Sequence, residues 1–186
     1  MGLIGTRDMA QRRTSMLSAA MDHAARIAAR FDLWRSSPCR LTTPDGKALD
    51  RMAIGALGER IAAAWLAGAG CRVLYRNFRA RGGGEVDVVM RDGEELVFVE
   101  VKTRSAGSPG RPMDAVDLKK QRLIRRGANA WLSRLGTRDL PWRFDVLEVI
   151  VEDGRRARVS WVKDAFSSER RDPKEKTRHP GEWVDV

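Results

Sequence analysis

The chain has 186 residues, of which 42% are hydrophobic and 32% charged, so it is neither depleted enough in apolar residues for intrinsic disorder nor apolar enough for a membrane protein. Its length suits one domain with flanking segments, and no stretch approaches the roughly 18 uncharged residues of a spanning helix. The net charge is +10. Residues 54–166 carry 21 basic and 15 acidic groups, so the excess is not confined to a tail, and a basic surface of this kind favours a polyanion such as nucleic acid.

Residues 1–53 read as a helical extension and linker. Met16, Ala20, His23, Ile27 and Ala28 recur at helical spacing, which predicts an amphipathic helix. A transit peptide, an added arm, a partner helix and a start assigned too far upstream all fit that composition. The stretch from Pro38 to Gly46 reads as linker, with Pro-Asp-Gly a turn signal. Two cysteines, Cys39 and Cys71, without a signal-peptide pattern point to a reducing cytoplasm.

Residues 54–166 read as the domain. Ile61, Ala62, Trp65 and Leu66 form an apolar helical stripe that stops at Gly68 and Gly70, and Cys71 to Arg79 is a strand. Glu85 to Met90 and Leu96 to Lys102 flank an Asp92-Gly93 hairpin signal. Val116 to Leu135 is a helix capped by Asp114 or Asp117, with an apolar face of Leu123, Gly127, Ala128, Trp131 and Leu132 and a stop at Gly136. Arg143 to Val151 and Arg156 to Val162 form a second hairpin about Asp153-Gly154. This order predicts an α/β or α+β fold, with a mixed sheet of about five strands flanked by helices. Residues 167–186 read as a charged, disordered tail.

The chemistry concentrates in Gly84 to Thr103. Glu100 and Lys102 lie two apart on a strand and therefore leave the same face. With Asp92-Gly93 as a two-residue turn, Arg91 pairs with Glu94, Asp87 falls opposite Phe98 and Glu85 opposite Glu100. Asp87, Glu85, Glu100 and Lys102 then share one face. Clustered carboxylates repel unless a cation neutralises them. Mg²⁺ suits such a set, taking carboxylates, the Val101 carbonyl and waters, while Lys102 orients or activates a water that attacks a phosphate. The alternative is a solvated strand end with one salt bridge, which a bare Glu-x-Lys would favour.

Gly58-Glu59, Arg76-Asn77, Gly84-Glu85-Val86-Asp87, Phe98-Val99-Glu100-Val101-Lys102-Thr103-Arg104, Lys120-Gln121 and Arg143-Phe144-Asp145-Val146, in that order, resemble the YraN family of predicted bacterial endonucleases. That family is similar to Holliday-junction resolvases and has the restriction-endonuclease-like PD-(D/E)XK fold. The resemblance spans about residues 55–162. It implies Asp87, Glu100 and Lys102 as the catalytic core, with Glu59 as a helix-borne carboxylate near the metal and Gln121 as an auxiliary residue. Metal ligands are then Asp87, Glu100, Glu59 and the Val101 carbonyl, for Mg²⁺ or Mn²⁺.

Lys119, Lys120, Arg122, Arg125 and Arg126 lie opposite the second helix's apolar face, positioned to contact nucleic-acid phosphates or to form a solvated surface. Trp65, Trp131 and Trp161 fall on apolar faces and read as core, while Trp34, Trp142 and Trp183 lie near segment ends where base stacking has no other support. The expectation is a cytoplasmic metal-dependent DNA endonuclease, acting on branched DNA if the likeness to resolvases extends that far. The alternatives are a non-catalytic nucleic-acid-binding module on the same fold and a partner protein assembling through its N-terminal helix. DNA is the expected partner, a membrane is not, and a homodimer is left open.

Overall fold

The computed structural model describes residues 37–107, 117–136, 140–166 and 183–185. The predicted N-terminal amphipathic helix (with His23), Trp34 and Asp114 lie outside them. Helix α1 (Arg51–Gly68) starts where the Asp50 carboxylate accepts from the Ala53 N–H at 2.7 Å, a side-chain cap on an otherwise unpaired donor. It ends before Gly70, whose φ of +89° is the left-handed turn expected there. Strands β1 (Arg72–Arg79), β2 (Glu85–Asp92) and β3 (Glu95–Ser105) follow as an antiparallel meander. Helix α2 (Leu118–Leu135) is capped by Asp117 and stopped by Gly136, with φ of +68°. Strands β4 (Trp142–Val151), β5 (Arg158–Phe166) and β6 (Trp183–Asp185) complete the chain.

The six strands lie in sequence order in one sheet, antiparallel throughout except where β3 runs parallel to β4. That parallel pair needs a crossover, and α2 supplies it. Helix α1 covers one face of the sheet over Val73, Val88, Met90, Val97, Val99 and Leu147. Helix α2 covers the other over Phe78, Val89, Phe98, Phe144 and Val146. Strand β3 is therefore buried on both sides, which explains its nearly unbroken run Leu96-Val97-Phe98-Val99. The result is the expected α+β fold with a mixed sheet, compatible with a restriction-endonuclease-like core. Among the described residues no helix is long and apolar enough to cross a membrane.

Several expectations need correction. The β2–β3 register is displaced by two residues: Asp92 pairs with Glu95 and Arg91 with Leu96, so the central turn residues are Gly93 and Glu94. Gly93 takes the positive φ (+60°) at the first turn position, where glycine is free to do so and Asp92 would not be. Because the displacement is even, every side chain keeps its predicted face. The segment read as linker is docked: Cys39 exchanges backbone hydrogen bonds with Arg155 and Gly154, at 2.7 and 2.9 Å, and the Leu41 N–H reaches Asp153 at 2.6 Å. The ordered unit thus begins upstream of residue 54. Within the stretch read as a tail, Trp183–Asp185 pairs with β5 as a sixth strand. In α2 Gly127, Ala128, Trp131 and Leu132 are buried as expected, joined by Ile124, whereas Leu123 is only half-buried. Trp131 is buried, and Trp65 and Trp161 meet edge to face at 5.8 Å. Trp142 packs on Phe98 and Phe144, so it is an aromatic core residue and not a base-stacking platform.

Candidate functional site

Two close approaches fix the site. Gly58 of α1 lies against Thr103 of β3, and Gly84 at the start of β2 lies against the backbone of Gly127 in α2; a Cβ on Gly58 or Gly84 would collide with that neighbour. Each helix is thereby seated at the same end of the sheet. There β2 and β3 part: the last paired residues of their ladder are Val88 and Val99. Beyond them Asp87 Oδ2 accepts from the Val101 N–H at 2.9 Å, so a carboxylate takes the place of a strand partner for an amide the fork would orphan.

Continuing the register brings Asp87 level with Glu100. Glu100 is 2% exposed. Its Oε1 lies 2.9 Å from the Lys102 ammonium, and its Oε2 lies 3.2 Å from that of Lys120 without the alignment of a hydrogen bond. Burial, then the Asp87 charge, push the Glu100 pKa up to about 7 against the pull of both lysines. Glu85 accepts from Lys120 at 2.6 Å and meets Arg79 at 3.4 Å. The Lys120 hydrogen bond holds Glu85 below its ordinary value. Burial acts to lower the Lys120 pKa, but Glu100 and Glu85 outweigh it, and the ammonium is pushed up to about 12.

Glu59 comes from α1, half-buried. Burial first and Asp87 second raise its pKa, against a hydrogen bond from Asn77, which itself holds a left-handed φ of +54°. A cleft of about 450 Å³ opens there, lined by Glu59, Asn77, Arg79, Glu85 and Asp87 with Met52 at its edge. Asp87, Glu100, Lys102 and Glu59, the residues singled out in the sequence, thus converge. Gln121 lies on the first turns of α2, where its amide oxygen accepts from Arg125 at 3.3 Å. Lys119, Arg122 and Arg126 are exposed on α2, while Arg125 is half-buried over the Phe166 ring, 5.5 Å from its centre.

Unlike Lys119, Arg122 and Arg126, Lys120 has its ammonium inside the carboxylate cluster. Sequence spacing gives no sign of this, because the contact depends on how closely α2 rides on β2. Glu85 was legible only through strand parity.

A hard divalent cation suits the oxygen donors of Asp87, Glu100 and Glu59. The fit rests on Glu100: a buried carboxylate oxygen with no directed hydrogen bond, beside a second carboxylate, calls for a positive charge. As the side chains stand, no three acidic or His/Cys residues among those described form a ready metal cage.

The Arg143–Asp145 motif serves elsewhere, at the N-terminal ends of β3 and β4. Arg143 pairs with Asp92 at 2.7 Å, Asp145 at 2.9 Å and Glu95, and Asp145 also accepts from the Trp161 indole at 2.9 Å. The network is centred on Asp145, which is fully buried, with Asp92 and Glu95 at its partly exposed edge.

The family model described as "Uncharacterised protein family UPF0102" matches residues 58–149, which include Glu59, Asp87, Glu100, Lys102 and Lys120. A UPF0102 protein of Geobacter sulfurreducens is 47% identical over 113 residues, 61% of this chain and 88% of the relative. One from Anaeromyxobacter dehalogenans is 44% identical over 133 residues, 72% of this chain and 92% of the relative. A third, from Rhodococcus jostii, is 44% identical over 115 residues, 62% and 97% of the two chains. The chain belongs to the UPF0102, or YraN, family.

Proposed function

We propose that the protein is a Mg²⁺- or Mn²⁺-dependent endonuclease that hydrolyses DNA phosphodiester bonds in the cytoplasm, with branched or recombining DNA as the substrate suggested by the family's likeness to resolvases. The observation that carries this reading is Glu100, buried at the strand fork beside Asp87 with the Lys102 ammonium on its oxygen. Asp87, Glu100, Glu59 and the Val101 carbonyl are the residues that would hold the cation. A bound divalent ion would supply Lewis-acid stabilisation of charge growing on the phosphate.

The chain's own groups supply the rest. Lys102 is anchored through Glu100 yet about a quarter exposed, so its ammonium can hold a water or hydroxide toward a phosphate entering from solvent. Asp87 fixes the Val101 backbone through its hydrogen bond and so keeps the two strands in register where they part. Lys119, Arg122 and Arg126 offer an exposed basic face on α2 for flanking phosphates, where contacts position the duplex without reading sequence.

A second reading, a nucleic-acid-binding module without turnover, draws on the lysines that already neutralise Glu100. Incubating linear, supercoiled, flapped and four-way DNA with Mg²⁺ or Mn²⁺ separates the two. Cleavage by the parent chain and none by Glu100→Ala is the expected result, with circular dichroism verifying the mutant's fold. Binding without cleavage, or equal cleavage by both preparations, overturns the nuclease reading.

A further inference from the structure

Lys120 occupies an unusual place for a residue on a basic helix. Its neighbours Lys119 and Arg122 are exposed, but its own side chain turns inward and keeps only 22% exposure. It donates a directed hydrogen bond to Glu85 Oε1, at 2.6 Å. Toward Glu100 Oε2 it offers charge at 3.2 Å without hydrogen-bond alignment. The buried carboxylate is therefore neutralised on that oxygen by proximity alone, and this is the contact a competing cation can replace most readily. The other Glu100 oxygen is already taken by Lys102 at 2.9 Å. A monovalent charge tethered to α2 thus stands where the oxygens of Glu100 and Asp87 would otherwise face a divalent one.

We propose that Lys120 is a built-in counterion of the carboxylate cluster, which keeps Glu85 and Glu100 together before a divalent cation binds and withdraws from Glu100 when one does. The inference rests on the metal-dependent reading above and adds the step that controls access to that site. Lys102 keeps the far oxygen, Oε1, whereas a divalent cation on Oε2 would take the oxygen that Lys120 faces and repel its ammonium, so cation binding there and the Lys120–Glu100 contact exclude one another. Released from Glu100, the ammonium remains tethered beside Glu85 at the edge of the exposed basic face, in reach of a phosphate.

Calorimetric titration of the full chain with Mn²⁺, in mildly alkaline buffer, tests this against Lys120→Met, which keeps the side chain's length and removes its charge. The mutant should bind Mn²⁺ about tenfold more tightly than the parent, a typical coupling between exclusive events. Reductive methylation of the parent's lysines, read by mass spectrometry, requires no mutant and decides the matter if Lys120→Met does not fold. Labelling of Lys120 should rise several-fold when Mg²⁺ is added. Equal or weaker Mn²⁺ binding by a folded mutant, or unchanged Lys120 labelling in a parent that binds metal, overturns the counterion role and leaves the metal site standing. A parent that binds no Mn²⁺ overturns both.

Discussion

Glu100 has two ammonium neighbours, yet burial and Asp87 still push its pKa up to about 7, from an ordinary 4.5. A folded value above the unfolded one means that the folded chain binds more protons across that window, so Glu100's contribution to stability is complete below about 4.5 and is lost as the pH rises through about 7. Glu100→Gln removes the titration. Its stability relative to the parent should therefore climb as the pH rises through the window, by on the order of 3 kcal/mol. Thermal melts of both chains across that range test this, and a gap that does not change with pH refutes it. Asp87 and Lys102 should fail in different ways. Asp87→Asn removes a ligand charge, so cleavage should fall and recover in part at high Mn²⁺. Lys102→Ala removes a group that handles water, so no metal concentration should restore the rate. Cleavage rates against Mn²⁺ concentration separate them, and rescue of Lys102→Ala alone would mean the roles are reversed.

The elements are held at the site by glycine contacts as much as by apolar burial. Gly84 and Gly127 bring α2 so close to β2 that no side chain fits between them, and this closeness is what lets Lys120 reach Glu85 and Glu100. Gly84→Ala should cost about 1–3 kcal/mol by overpacking and should also tighten Mn²⁺ binding, as α2 is pushed off the sheet and carries the Lys120 ammonium away from Glu100. Denaturant melts and the same metal titration measure the two effects; a neutral Gly84→Ala would show that the helix seats by other means. The first five strands and both helices were legible in the sequence because their signals are local: Asp117 as a cap, Gly70 and Gly136 as stops, and the two hairpins. The face shared by Asp87, Glu100 and Lys102 was legible because strand parity survives an even displacement of register. The register itself was missed, since it depended on which turn position Gly93 would take. Lys120's inward turn was missed because it depends on contacts far apart in the chain.

For the molecule as a whole, the sheet with a helix on each face places one acidic fork beside one basic helix surface, and a net charge of +10 favours association with polyanions. DNA affinity should fall with salt by roughly 0.9 in the logarithm per phosphate contact for each decade of concentration. Replacing Lys119, Arg122 and Arg126 together by Gln should lower that slope by about three contacts' worth. Binding isotherms across a salt series measure it; an unchanged slope would place the phosphate track elsewhere on the protein. The central claim is that the fork between β2 and β3 is a divalent-cation site, and anomalous diffraction from crystals soaked in Mn²⁺ tests it most directly. A Mn²⁺ peak between the Asp87 and Glu100 carboxylates, absent from Glu100→Ala crystals, is the predicted result. Mn²⁺ peaks found only elsewhere, or a peak at the fork that persists in Glu100→Ala, would contradict it.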